Sequence, residues 1–383
     1  MLLGYGARNF FCFKEGVEVS LEVNANCPKE VTDGKSYVDA MCVKGANGSG
    51  KTNLLKILTF IASFSSHSFN KKPEDNINVC SYFENDDPID FYIDFQLDEV
   101  RYHYELSLNQ QRVISESITR KIDRATEIFR RENDDLVKCI SEFKFLEQMK
   151  IRSNASLIST VNQYDLDSPS DEMKKIYGFF NRIFGNVYHY GLYETKPNVE
   201  DATKYYYDHP DVFKFVKEFI CGSDIGINDI RIEEVDSESG KELYRPFFVY
   251  ETGGREKILP YNVQSSGTKS LFVDLAWYKA ALDVGGVLVA DEFDINLHPD
   301  LLPHLVELFT DSEINIHKAQ LIFTTHNSQI MDEMGKYRTV LLNKDQNESY
   351  AYRLDELPGD IVRNDRAIEP LYKAGKLGGV PKV

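Results

Sequence analysis

Hydrophobic and polar positions follow two different periods along this chain. Residues 2–10 and 17–23 alternate around Gly16, with Val17, Val19, Leu21 and Val23 on one face, and predict two strands. A polar loop at 25–36 follows. Residues 37–43 form a short apolar run that predicts a buried strand. Residues 53–61 then set Leu, Ile and Phe at helical spacing. After a polar stretch at 65–90, the runs 89–95, 102–108 and 113–122 predict an antiparallel meander that turns first at Asp98-Glu99.

The pattern changes at 132. Leu136, Ile140, Phe143, Leu146 and Met149 recur at helical spacing, and a second helical pattern covers 173–184 after a polar gap at 165–170. This predicts a helical insertion over 132–210, between an N-terminal half, 1–131, and a C-terminal half, 211–383. The C-terminal half predicts a helix at 211–221, a strand at 225–235, and a hairpin of 247–251 with 257–260 around Gly253-Gly254. A helix at 270–282 and a buried strand at 287–290 come next. Pro299 is then expected at the first position of a helix that buries Leu301, Leu302, Leu305, Leu308 and Phe309. A strand at 320–324 follows. The fold class is α/β: a parallel sheet with an antiparallel β appendage and an inserted helical region.

Composition narrows the function classes. The 383 residues carry a net charge of −17, so general attraction to nucleic acid is disfavoured. The bases between Arg120 and Arg152 interleave with acids such as Glu127, Asp134 and Glu142, which reads as a solvated face rather than a nucleic-acid patch. Six cysteines with no C-x-x-C pair fit neither a zinc site nor a disulfide framework; reduced thiols are expected. No leader pattern and no apolar run of membrane-spanning length is present, so a cytoplasmic protein with no membrane partner is expected.

The candidate chemistry lies at strand ends. Gly45-Ala46-Asn47-Gly48-Ser49-Gly50-Lys51-Thr52 fits G-x-x-x-x-G-K-[ST], between a predicted strand and a predicted helix. Glycines let successive N–H groups turn toward one anion, and the helix dipole favours negative charge there. Lys51 is expected on the β- and γ-phosphates and Thr52 on Mg²⁺, with Asn47, Gly48, Ser49, Gly50 and Asn53 completing the nucleotide-binding set. Ser265, Ser266 and Gly267 open a helix and form a second anion-binding candidate. The run 287–290 ends in Asp291-Glu292, where ligands bind in open α/β sheets. Asp291 is expected to organise Mg²⁺, and Glu292 to deprotonate the attacking water. The next predicted strand ends in Thr324-Thr325-His326-Asn327, which would bring His326 to the γ-phosphate.

The order of these motifs resembles the ATPase heads of the ABC superfamily, in the branch of the Rad50, SMC, RecF and OLD-family ATPases. Within it, the chain is similar to AAA15-type ATP-binding proteins, which include abortive-infection ATPases and the ATPase subunit of PARIS-type phage defence. The opening Asn9-Phe10-Phe11-Cys12-Phe13 resembles the family's Asn-Phe-x-Ser-Phe, with Cys12 in place of Ser. Residues 45–52 correspond to its Walker A motif and 265–268 to its signature loop, with Gln264 where Glu is common. Residues 291–299 correspond to Walker B and the D-loop, and His326 to the switch histidine. The tail 371–381 resembles Tyr-x-x-Gly-Arg-Phe-Gly-x-x-Pro, with Lys376-Leu377 at the Arg-Phe positions. Gln96 is the candidate for the Q-loop glutamine.

The resemblance implies ATP and Mg²⁺ as ligands and a homodimer or higher homo-oligomer, in which Ser265 and Gly267 of one copy complete the Walker A site of another. It leads to two expectations. One is a defence ATPase that senses a trigger, such as a phage protein, and controls a separately encoded toxic effector, such as a TOPRIM-like nuclease. The other, less favoured, is a DNA-repair or replication ATPase of RecF or Rad50 type. A P-loop metabolic kinase or GTPase fits the 265–268 loop and His326 less well.

Overall fold

The computed structural model describes residues 1–164, 171–188, 191–192, 198–223, 226–236, 242–359, 361–363 and 366–380. The chain opens with β1 (Leu2–Arg8), β2 (Val17–Ser20), the single turn α1 (Lys29–Thr32), β3 (Ala40–Gly45) and α2 (Lys51–His67). The meander comprises β4 (Ile89–Leu97), β5 (Val100–Leu108), β6 (Val113–Lys121), β7 (Ala125–Glu132) and β8 (Asp135–Cys139). The middle holds α3 (Leu157–Val161), α4 (Asp171–Asn181), β9 (Ile183–Gly185), β10 (Val187–Tyr188), β11 (Gly191–Leu192), α5 (Val199–Asp208) and α6 (Pro210–Ser223). Next come β12 (Ile227–Asp236), β13 (Glu242–Thr252), β14 (Arg255–Pro260), α7 (Ser266–Val284), β15 (Val287–Ala290), α8 (Leu301–Thr310) and β16 (Gln320–Thr324). The last described elements are α9 (Ile330–Met334), β17 (Thr339–Asp345), β18 (Glu348–Arg353) and α10 (Glu369–Lys373).

Among the described residues, these strands build an antiparallel sheet in the order β2-β1-β4-β5-β6-β7-β8, a central sheet in the order β18-β17-β3-β16-β15-β9, a three-stranded sheet β12-β13-β14 and a two-stranded pair β10-β11. In the central sheet, β17, β3, β16, β15 and β9 run parallel. Its strands are apolar on both faces because both faces are covered. Met41, Val43, Val287, Val289 and Ile322 join α2 and the antiparallel sheet in one core. Ala40, Cys42, Leu288, Ala290, Leu321 and Phe323 join α6, α7 and α8 in a second core on the opposite face. Gln320 ties the two sheets together: its Oε1 accepts from the Leu2 N–H at 2.6 Å, and its Nε2 donates to the Leu2 carbonyl at 3.0 Å. No helix among the described residues is long and apolar enough to cross a membrane.

The helical reading of 132–149 is corrected. Arg131 pairs with Leu136 and Glu132 with Asp135, so Asn133-Asp134 form a hairpin turn, with Asn133 at φ 55°. The residues after β8 form a 3₁₀ run, Ser141–Gln148, which buries Phe143 and Leu146, three positions apart. That spacing mimics an α-helical period. The helix expected at 173–184 ends at Asn181, and Phe184 lies in β9, so the middle segment also supplies a strand to the central sheet. Pro299 is not the first helical residue. It sits in a turn, α8 starts at Leu301, and the Leu302 N–H donates to the Pro299 carbonyl at 3.2 Å. The polar gap at 165–170, the start of the strand expected at 225, and Pro381 lie outside the described residues.

Candidate functional site

β3 delivers the glycine-rich loop and α2 carries it away. Gly48 and Gly50 have φ of 77° and 103°, a region open to glycine and strained for other residues. At Gly48 a Cβ would meet nothing within 4 Å, so this bend borders open space. On the inner side the loop is tightly packed. A Cβ at Gly45 would lie 2.5 Å from Ser49 Oγ, and one at Gly50 would lie 2.7 Å from Cys12 Sγ. Asn53 Nδ2 donates to the same sulfur at 3.3 Å, so the opening motif buttresses the loop from behind. Lys51 Nζ donates to the carbonyls of Gly45 and Ala46 at 2.9 and 3.2 Å. Burial holds the Lys51 ammonium below its usual range, while Asp291 and Glu292 pull it back up.

β15 lies beside β16, and both end at this loop. Thr52 Oγ1 donates to Asp291 Oδ2 at 2.6 Å. Thr324 Oγ1 donates to Asp291 Oδ1 and accepts from the Glu292 N–H at 2.8 Å. The Phe293 N–H donates to the Thr324 carbonyl at 2.9 Å. These bonds hold Glu292 at φ 50°, a conformation a non-glycine residue rarely adopts. Asn186 binds Asp291 reciprocally, accepting from its N–H at 2.7 Å and donating to its carbonyl at 2.8 Å. His326 Nε2 lies 3.8 Å from Glu292 Oε1, and the imidazole is 55 % exposed. Asp294 accepts from the His326 and Asn327 N–H groups at 3.1 Å and fixes that turn.

The folded chain thus brings together Lys51, Thr52, Asp291, Glu292 and His326 from three separate stretches of sequence. The contributions of Asn186 and Thr324 were not anticipated, nor was that of Lys44. Buried Lys44 donates to the Thr325 carbonyl at 2.8 Å, and its ammonium is held low by burial. A lysine inside an apolar strand was a readable signal; Asn186 offered none. Gln96 is placed elsewhere: it is the penultimate residue of β4 and donates to the Asp98 carbonyl at 2.8 Å.

Ser265, Ser266 and Gly267 face a different wall. Ser265 caps α7, accepting from the Thr268 N–H at 3.1 Å. With Asn296, Leu297, His298 and Pro299 they line a cavity of about 460 Å³. Gly267 is needed there, since a Cβ would come within 3.0 Å of the Asn296 carbonyl.

The arrangement fits a nucleotide with Mg²⁺. Ser49 Oγ is buried without a partner inside the loop, Gly48 opens outward, and Thr52 and Asp291 offer a pair of hard oxygen donors. No group of three His, Cys, Asp or Glu residues suited to a metal occurs among the described residues.

The chain is similar to several solved structures. The SMC head domain from Thermotoga maritima shares 14% identity, covering 92% of this chain and 98% of that one, with a TM-score of 0.46. An Smc head domain with an extended coiled coil, bound to the C-terminal domain of ScpA and derived from Pyrococcus furiosus, shares 11%, covering 93% and 97%, at 0.42. The recombination mediator protein RecF of the RecFOR pathway shares 11%, covering 86% and 93%, at 0.32. No curated protein matches the sequence. Residues 40–332, well over half the chain, match one family model, and the protein belongs to that family, described as "AAA domain, putative AbiEii toxin, Type IV TA system".

Proposed function

We propose that the protein is an ABC-type ATPase whose paired heads bind and hydrolyse ATP and control a separately encoded toxic effector in anti-phage defence. The observation that carries the paired site is the separation of two half-sites within one chain. The P-loop, Asp291, Glu292 and His326 form one, while residues 265–267 with 296–299 line another cavity. A second copy related by a two-fold axis would set Ser265 and Gly267 against the first copy's phosphates.

In this reading, N–H groups of residues 47–52 cradle the β- and γ-phosphates and Lys51 offsets their charge. Thr52 and Asp291 would hold Mg²⁺, which would supply positive charge against the charge that develops on the phosphates. Glu292 orients the attacking water and takes its proton as the new P–O bond forms and the β–γ bridge breaks. Thr324 fixes the direction in which Glu292 points. His326 donates toward the γ-phosphate. Closure of the heads is the signal passed to the effector, for which a TOPRIM-like nuclease is the leading candidate and a phage protein the candidate trigger. The AAA15 and PARIS resemblance supports this choice. A cytoplasmic location fits the reduced cysteines.

The DNA-repair alternative draws less support, because most bases in 112–152 are already engaged. Arg112 pairs with Asp134, Arg120 with Glu142 and Glu172, and Arg130 and Lys138 with Glu127.

The test compares wild type, Lys51→Ala and Glu292→Gln by size-exclusion mass and phosphate release, with and without ATP and Mg²⁺. Glu292→Gln should bind ATP, release phosphate at least 100-fold more slowly (about 3 kcal/mol of barrier) and accumulate a larger assembly that Lys51→Ala cannot form. Three monomers with the same nucleotide response would overturn the shared site. Failure of the closed assembly to retain any co-encoded protein would overturn the effector role alone.

A further inference from the structure

The solvent face of the antiparallel sheet is shaped and charged in a way the nucleotide site does not use. Two cavities, about 630 and 310 Å³, share Asp90, Phe91 and Glu105 and so form one trough. It runs across the strands from Glu18 on β2, past Arg8 on β1, Asp90 and Tyr92 on β4 and Glu105 on β5, to Ser117 on β6 and Glu132 on β7. These residues share a face by pleat and register: Gly6 opposes both Glu18 and Tyr92, and Glu105 opposes both Tyr92 and Ser117. The Tyr92 ring lies over Gly6, where a Cβ would come within 2.4 Å of it.

The lining is net acidic, although Glu15 pairs with Lys14 at 3.2 Å and Glu105 accepts from Ser117 Oγ at 3.2 Å and lies 3.5 Å from His103 Nε2. Glu15, Glu18, Asp90, Glu105, Glu132 and Glu356 line it, against Arg8 and Arg130. Both bases are already used, Arg8 by Asp90 at 2.7 Å and Arg130 by Glu127 at 2.6 Å. Glu18, Glu105 and Glu132 are exposed. Two aromatic planes stand among them: Tyr92, and Tyr350 at the rim, 46 % exposed. Carboxylates beside aromatic faces select a planar cation, which pairs in bidentate fashion and stacks at once. From β2 to β7 the trough crosses five strand spacings, about 24 Å, the reach of roughly seven extended residues.

We propose that this trough docks an extended, arginine-bearing segment of a partner protein. The partner's guanidinium groups pair with Glu18, Glu105 and Glu132 and stack on Tyr92 and Tyr350. The inference does not depend on nucleotide chemistry.

The experiment is fluorescence anisotropy on the full chain with a labelled (Arg-Ser)4 peptide at about 150 mM salt, where long-range attraction is screened. Saturable binding is expected. Glu18→Lys with Glu105→Lys should weaken it at least tenfold. Glu200→Lys with Glu313→Lys makes the same charge change at exposed sites outside the trough and should leave it within twofold. A (Lys-Ser)4 peptide should bind several-fold more weakly. Equal loss in both variant pairs would reduce the effect to diffuse attraction and overturn the proposal, as would the absence of saturation. A wild-type assembly that dissociates in the Glu105→Lys chain would make a second copy the occupant and also overturn it. Unchanged thermal melting in all variants shows that the readout is binding rather than folding.

Discussion

Thr324 acts through what it holds. One hydroxyl donates to the Asp291 carboxylate and accepts from the Glu292 N–H, so it sets both acidic residues at once. Thr324→Val keeps the side-chain shape and removes both bonds. A hydrogen bond to a charged group contributes about 1.5–3 kcal/mol. Phosphate release should therefore fall roughly 10- to 100-fold, while nucleotide affinity, measured by calorimetry, changes much less. An equal loss in binding and turnover would mean that the hydroxyl supports the fold rather than the geometry of Glu292. At this scale the sequence was legible wherever one local pattern carries the chemistry: residues 45–52, Asp291-Glu292 and His326 all fall at one edge of the sheet. Asn186 and Thr324 were not legible as partners of Asp291. Their bonds join residues 105 and 33 positions away in sequence, and no local pattern pairs either of them with Asp291.

Among the elements, alternation served well and helical spacing served unevenly. β4, β5 and β6 lie within a residue or two of the expected runs because β4 and β5 keep a period of two over most of their length, while β6 departs from it where its pairings shift register at Ser107/Leu108 and Ile118/Thr119. The stretch from Leu136 to Met149 misled because a strand followed by a 3₁₀ run places apolar residues three and four apart without being an α-helix. A buried charge cluster fixes this region. Glu116 on β6 accepts from Tyr104 OH at 2.9 Å, Ser156 Oγ at 2.8 Å and the Leu157 N–H at 2.9 Å. Arg131 on β7 sits 3.4 Å from it and donates to the Ala155 carbonyl at 2.9 Å, and both side chains are fully buried. Glu116→Ala strands the guanidinium and should lower unfolding free energy by about 3–5 kcal/mol in urea titrations. Glu116→Leu with Arg131→Met should recover most of that loss. A double variant as unstable as the single one would show that the neutral bonds, rather than the unpaired charge, carry the cost.

Among the described residues the central sheet carries a large core on each face, and the antiparallel sheet belongs to only one of them; a smaller third cluster, with Leu341, Leu354 and Tyr372, lies toward the C-terminus. Gln320 bridges the layers from the N-terminal end of β16, at the opposite end from the acidic pair. Gln320→Leu leaves the Leu2 N–H and carbonyl buried without these partners, at about 1–3 kcal/mol per unsatisfied group. Hydrogen exchange should then show β1 opening ahead of β3 and β16. Uniform acceleration across both sheets would mean that the two layers unfold as one unit. The α/β class and the antiparallel appendage were readable at this scale, since both follow from periodicity. The path of the middle segment was not, because a three-residue strand carries too little pattern to announce itself.

That short strand limits how the molecule can be remodelled. β9 completes the edge of the central sheet, and Asn186 just beyond it grips the backbone of Asp291. The segment between the meander and α5 is therefore not a cassette that can be excised and its ends rejoined. Recombination or grafting that exchanges it wholesale would remove a wall of the phosphate site along with the insert. A splice that keeps the site intact would leave residues 183–186 with the host and place its junctions on either side.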